Sequence, residues 1–192
     1  MKTVNPEDMT FSFEDWERTI GFLEGGRDPD LWHQLVDGMN YDDPRALDYV
    51  LWIVRQPDCD IATAALTFVS LRCADHVCAA PRLHSGADDR VSRIASEICA
   101  RSEASGYTRA KIGWHAPDHI PTPAAVLADI RANCAKLGLA AGRTHLPIPA
   151  AVLGADFDKP PAAASYFVDE GGFTHMSAMD PFMQAIMGFR SN

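Results

Sequence analysis

The 192-residue sequence is 47% hydrophobic and 22% charged, ordinary proportions for one globular domain that can build its core without disulfides or a metal. Its net charge of −9 is unevenly placed: residues 1–60 hold 14 acids and 5 bases, residues 61–154 hold 7 and 10, and residues 155–192 hold 5 and 2. An acidic first third repels phosphate, which argues against nucleic acid and fits a basic protein partner, and no apolar run is long enough to cross a bilayer, the longest, Ile61–Leu71, being interrupted by Thr63, Thr67 and Ser70.

The opening residues Met1–Asp8 lack the hydrophobic centre of a signal peptide and turn acidic. Ser12-Phe13-Glu14-Asp15 places a carboxylate three residues after a hydroxyl, as in a capping box, and predicts a helix start. Phe13, Trp16, Ile20 and Leu23 line the apolar face of that helix, and Gly25-Gly26 ends it. Four later starts share one signature, a short oxygen-bearing side chain followed by proline: Asp28-Pro29, Asp43-Pro44, Thr122-Pro123 and Asp180-Pro181. The side-chain oxygen accepts from an orphan N–H of the first turn, and proline takes the first helical position, where its missing N–H has no intrahelical partner to lose. Trp32, Leu35, Val36 and Met39 line the second helix. Leu47, Val50, Leu51 and Val54 line the third, and Tyr49, Trp52 and Ile53 widen its stripe until little polar face remains, so it is expected to be central. The fourth, Asp60–Ala74, is apolar nearly all round, and its Ala62, Ala64 and Ala65 allow close helix approach.

A polar link is expected around Arg82–Asp89. Beyond it Val91, Ile94, Ala95 and Ile98 mark an amphipathic helix with Arg93–Glu97 and Glu97–Arg101 pairs on its outer face, closed by Gly106. Leu127, Ile130, Cys134 and Leu137 mark the next helix, closed by Gly138. Pro147, Pro149, Pro160 and Pro161 punctuate a less regular stretch. Tyr166-Phe167-Val168, the turn Asp169-Glu170-Gly171-Gly172 and Phe173 read as a short hairpin. A short helix from Pro181, with Phe182, Met183, Ile186 and Met187 as its apolar stripe, finishes the chain. The expectation is an all-α fold, a compact helical bundle of six or seven helices with room for one small β-hairpin near the C-terminus. Residues 1–192 read as a single helical domain in which 145–192 form an irregular C-terminal appendage.

Chemistry-bearing patterns are sparse. Cys73-Ala74-Asp75-His76-Val77-Cys78 is the most metal-like cluster, yet its spacing fits no standard pairing of zinc ligands, and core cysteines beside a surface histidine explain it. His115 and His119 are four apart with Asp118 between them; on a helix they would share one face as metal ligands do, but Pro117 and Pro121 oppose that helix. No Gly-x-Ser-x-Gly elbow and no phosphate-cradling glycine loop occurs. The pairs Asp42-Asp43 and Asp88-Asp89 read as a helix cap and solvated charge. No catalytic residue and no cofactor is implied. Five cysteines, an odd number at irregular spacings, do not form a disulfide framework and point to a reducing cytoplasm.

The stretch from Leu31-Trp32-His33-Gln34-Leu35 through Asn40-Tyr41-Asp42-Asp43 to Trp52–Phe68 resembles the bacterial domain of unknown function forty-two seventy-four. The resemblance centres on Gln-Pro-x-Cys-Asp-x-x-Thr-Ala, here Gln56 to Ala64, extends to Gly106-Tyr107 and covers about residues 30–115. It implies no settled activity. Physically, Pro57-Asp58-Cys59-Asp60 reads as a helix stop followed by a new cap, with Asp60 accepting N–H bonds at the start of the fourth helix and Cys59 packed inward.

The leading expectation is a non-catalytic protein-binding module, an immunity-type protein masking a basic toxin. Asp28, Asp30, Asp37, Asp42 and Asp43, which cluster around two helix starts, are its candidate contact residues. The alternatives are a small metal-dependent enzyme using His115, Asp118 and His119 or Cys73, His76 and Cys78, and a homo-oligomeric structural subunit joined through the methionine-rich last helix. Neither nucleic acid nor membrane is an expected partner, and the sequence does not set the oligomeric state.

Overall fold

The described residues open with a strand where a helix cap is expected. The computed structural model describes residues 9–78, 86–117, 119–139 and 143–179, and in it Thr10–Ser12 forms β1. Phe13 N–H donates to Gly171 O at 2.9 Å, so long-range pairing overrides the local capping box at Ser12. Asp15 takes over the cap, its carboxylate accepting from Arg18 N–H at 3.1 Å, and α1 runs Trp16–Gly26. Arg27, in the left-handed region at φ 42°, returns its N–H to Leu23 O and ends the helix just past the Gly25-Gly26 pair.

The oxygen-plus-proline starts within the described residues all open helices. Asp28 accepts from the N–H groups of Asp30 and Leu31 at 3.0 and 3.3 Å and leads into α2 (Pro29–Gly38). Asp43 accepts from Arg45 N–H at 2.9 Å and leads into α3 (Pro44–Arg55). The fourth helix, α4 (Ile61–Ser70), begins at the Asp60 cap and ends earlier than its apolar pattern, because Arg72 turns the chain at φ 53°. A short α5 (Asp75–Cys78) follows. Next, α6 (Gly86–Glu103) starts inside the stretch expected to be a polar link. Its end comes before Gly106, with Ser105 at φ 53°. Thr122 then caps α7 (Pro123–Lys136), and Gly138 at φ 67° follows that helix as expected. Val152 and Leu153, fully buried, sit on α8 (Ala150–Leu153), a single turn that the proline-rich stretch concealed. The start at Asp180-Pro181 and the stripe Phe182, Met183, Ile186 and Met187 lie outside the described residues.

The expected hairpin is present as β2 (Tyr166–Val168) and β3 (Gly172–His175). β1 adds to its free edge, giving an antiparallel three-stranded sheet of order β1-β3-β2 with Phe11 opposite Phe173. Gly172 is required there: a Cβ at this position would lie 1.9 Å from Phe11 O. Phe11 stacks on Phe22 of α1 at 4.0 Å and on Phe173 at 5.1 Å, so the sheet is sealed onto the helices by aromatic rings. The fold is thus mostly helical with one small sheet.

The centre of the bundle is α4, not α3. Every residue from Ile61 to Val69 is buried, and α4 packs against α2, α3, α6, α7 and α8. Small side chains explain this, since Ala62, Ala64 and Ala65 let neighbouring backbones approach. α3 instead packs chiefly on α6. There the expected Arg93–Glu97 and Glu97–Arg101 surface pairs are replaced by contacts between the helices. Glu97 pairs with Arg55 at 3.1 Å. Arg101 donates to the carbonyls of Val54, Gln56 (3.0 Å) and Gly106 (2.8 Å) with its guanidinium 4.3 Å from the Tyr107 ring centre. The bonds to Val54 and Gln56 occupy carbonyls that the end of α3 leaves unpaired, and the bond to Gly106 ties down the turn that follows α6. Leu137, expected in the core, is exposed.

Asp60, with no exposed surface, joins the two ends of this architecture. One carboxylate oxygen accepts from Ala62 N–H at 3.0 Å, capping α4. The other accepts from Lys111 N–H at 2.8 Å and lies 3.4 Å from Arg109 Nε. That Nε is buried and makes no hydrogen bond, so the Arg109 contact is ionic. Ile61 N–H donates to Arg109 O at 2.9 Å, completing the junction. Arg109 also lies 3.4 Å from Asp30, which accepts from Ala163 N–H at 2.9 Å. Gln34 Oε1 accepts from Ser165 and Tyr166 at 3.2 and 3.1 Å, tying the approach to β2 onto α2. Elsewhere between α2 and α4, His33 Nδ1 meets Thr63 Oγ1 at 3.0 Å in the interior.

Removing the Asp60 carboxylate leaves partly buried Arg109 with Asp30 as its remaining counter-charge, strips the acceptor from Lys111 N–H and uncaps α4. Asp60→Ala is therefore expected to cost about 3 kcal/mol, and Asp60→Asn, which keeps a cap acceptor, less. Urea unfolding monitored by circular dichroism checks this, and an unchanged Asp60→Ala midpoint would contradict it. A pH dependence follows from His33, whose pKa burial pushes below its ordinary 6.5 despite the opposing pull of Asp37, Asp60 and Asp30. The unfolded chain takes up a proton that the folded chain resists. Stability is thus full above the unfolded value and falls as pH drops through it, until the folded value is passed. Unfolding free energies measured from about pH 7.5 to about pH 5.5 should decline in the wild type and decline less in His33→Gln. Equal slopes would remove His33 as the cause.

Candidate functional site

The acidic first third presents its charge around one aromatic ring. Trp16, expected in the core, is 42% exposed. Because the chain before it is drawn into β1, Trp16 stands in the first turn of α1, at the border of the buried face that Thr19 and Leu23 continue. One side of its indole lies against Tyr49 of α3, with ring centres 4.5 Å apart; the rest faces solvent. Glu14, Asp15 and Glu17 are exposed beside it. Arg45 links this helix start to that of α3, reaching Glu14 at 3.2 Å and Asp43 at 2.8 Å. Its hydrogen bonds hold the Asp43 carboxyl below the usual carboxylate range. Asp42, also exposed, extends the same edge. Glu14, Asp15 and Glu17 flank Trp16 in the sequence, and Arg45 joins Glu14 to Asp43, whose neighbour is Asp42; Arg18 of the same turn lies 5.2 Å from the Phe11 ring centre. Chemically, such a face offers a large apolar contact inside an anionic rim.

The five aspartates picked from sequence do not form one patch. Asp28 and Asp30 are engaged at the start of α2, as a cap and in the Arg109–Ala163 junction. Asp37 is exposed near the opposite end of that helix. Only Asp42 and Asp43 join the Trp16 face. Glu14, Asp15, Trp16 and Glu17 were the residues that sequence reasoning missed as a surface. Their signal, a tryptophan inside a run of acids, was absorbed by the capping-box reading and by the helical spacing of Trp16 with Ile20 and Leu23.

The metal-like patterns separate in three dimensions. Cys73 is wholly buried, His76 Nδ1 faces Ser92 Oγ at 3.2 Å, and the Cys78 sulfur faces that of Cys134 on α7. His115 and His119 are exposed on a non-helical segment, so no helix face brings them together, and Asp118 lies outside the described residues. Among the described residues no group of three or more His, Cys, Asp or Glu side chains converges as a metal site would. No helix among them is long and apolar enough to cross a membrane.

No curated protein and no solved structure matches this chain. Residues 27–97, from the cap of α2 through α3, α4 and α5 and into α6, match the model of a family described as a domain of unknown function, DUF4274, the family that the sequence resembles.

Proposed function

We propose that this protein is a non-catalytic protein-binding module of the immunity type, which masks a basic toxin in the bacterial cytoplasm. The observation that carries the reading is the half-exposed Trp16, flanked in sequence by Glu14, Asp15 and Glu17, resting on Tyr49 of α3 and linked through the Glu14–Arg45–Asp43 bridge to the acidic start of that helix. Exposed tryptophans are over-represented among the few residues that dominate binding energy, and they gain most where surrounding contacts exclude water. An anionic rim accelerates encounter with a basic surface and rejects acidic competitors. Asp28 and Asp30 at the start of α2 serve the scaffold instead, as a cap and in the Arg109–Ala163 junction.

The test begins with capture of a basic protein from a lysate of the native host and continues with the purified pair. Trp16→Ala should weaken binding by about 2 kcal/mol, roughly 30-fold in Kd. Glu14→Lys combined with Glu17→Lys should slow association and flatten its dependence on salt. Both variants should keep the far-ultraviolet circular dichroism of the wild type. Unchanged affinity in both, with the fold intact, would sink the proposal.

A further inference from the structure

Two of the five free cysteines stand apart from the rest. Cys59, Cys73 and Cys99 have no exposed surface and behave as small core hydrophobes. Burial pushes the thiols of Cys59 and Cys99 up to about 12. Cys78, at the end of α5, is only half-buried and lines a groove between α4 and α7 of about 520 Å³. Across from it on α7 is Cys134, and the two sulfur atoms are 2.6 Å apart. That is inside the contact distance of two unbonded sulfurs, about half an ångström beyond a bonded pair, so the two thiols sit in direct contact. Residues 79–85 aside, the chain between them forms α6 and the segment leading to α7, so the two sulfurs come from distant parts of the sequence and meet through the packing of α5 on α7.

We infer that Cys78 and Cys134 are a reversible dithiol–disulfide pair, with Cys78 as the thiol reached from the groove and Cys134 as the resolving thiol. The oxidant is a low-molecular-weight disulfide such as glutathione disulfide. The Cys78 thiolate attacks one sulfur of the oxidant, forming a mixed disulfide and releasing one glutathione thiolate. The Cys134 thiolate then attacks the Cys78 sulfur, closing the internal bond and releasing the second glutathione. The cysteine pair loses two electrons and two protons in all, and the oxidant gains them as two thiols. Burial and the neighbouring sulfur hold the Cys78 thiol above its ordinary range, so exchange is slow at neutral pH and is best followed at mildly alkaline pH. Oxidation would fasten α5 to α7 along one wall of the groove, on a face built from other elements than the Trp16 surface.

The experiment uses the full reduced chain incubated with excess glutathione disulfide. Its readouts are intact mass, thiol titration after denaturation, and a peptide map without reductant. The expected product has three titratable thiols instead of five, no retained glutathione and one crosslinked peptide joining Cys78 to Cys134; dithiothreitol restores all five thiols. In Cys134→Ser the reaction should stop with glutathione on Cys78, and Cys78→Ser should remain unmodified. A wild-type chain that keeps all five thiols, or one that retains glutathione on Cys78 with no crosslink, would overturn the inference. The wild-type map decides the matter even if a serine variant folds poorly.

Discussion

A carboxylate with no exposed surface holds the described architecture together. Asp60 faces the first turn of α4 with one oxygen and the Arg109–Lys111 segment with the other. Desolvating a charge is expensive, and it is tolerated here because backbone N–H groups and a guanidinium replace the lost water. The same guanidinium reaches Asp30, and Asp30 in turn holds Ala163. A chain of charge and amide contacts thus runs from the middle of the bundle to the strap that delivers β2. Apolar packing alone would let α4 slide along its small-residue faces, whereas these directed contacts fix its position against α2 and the segment after α6.

This arrangement separates the interior from the surface in a way that the charge count conceals. Arg101 and Arg109 are each spent on carbonyls or carboxylates at element ends, and Asp28, Asp30 and Asp60 are spent on caps and junctions. Outside, at the first turns of α1 and α3, exposed Glu14, Glu17 and Asp42 stand beside the capping Asp15 and Asp43. The match to DUF4274 covers residues 27–97, which includes α3 with Asp42, Asp43 and Arg45 but not α1. The proposed contact face therefore straddles the boundary of the family-like region, with its tryptophan contributed from outside.

Much of the helical scaffold was legible in the sequence because its signals are local. The Asp-Pro and Thr-Pro starts work through a single turn, and the apolar spacing of α2, α3 and α6 survives in the buried residues, with Trp52 and Val91 half-buried. Asp60 as cap and Cys59 as core were likewise readable from Gln56–Ala64. The misreadings share a cause: contacts between residues far apart in the chain. Ser12 looked like a cap until Gly171 and Gly172 claimed its neighbours for a sheet. Glu97 and Arg101 looked like partners on one helix until α3 offered Arg55 and a set of open carbonyls. The hairpin was visible from its turn, but its third strand, only three residues long, was not. For the candidate surface, sequence located the acidic region and two of its aspartates. It could not show that Trp16, at a core spacing, ends up at the border of the core.

The proposed role rests on which face meets a partner, and hydrogen exchange read by mass spectrometry addresses that directly. Backbone exchange would be followed in the purified chain alone and in complex with the captured basic protein. Slowed exchange concentrated in the first turns of α1 and α3, around Trp16 and Arg45, with α7 and the groove beside Cys78 unchanged, is the predicted result. Protection confined to the α4–α7 groove, or no protection at Trp16 in a saturated complex, would contradict it.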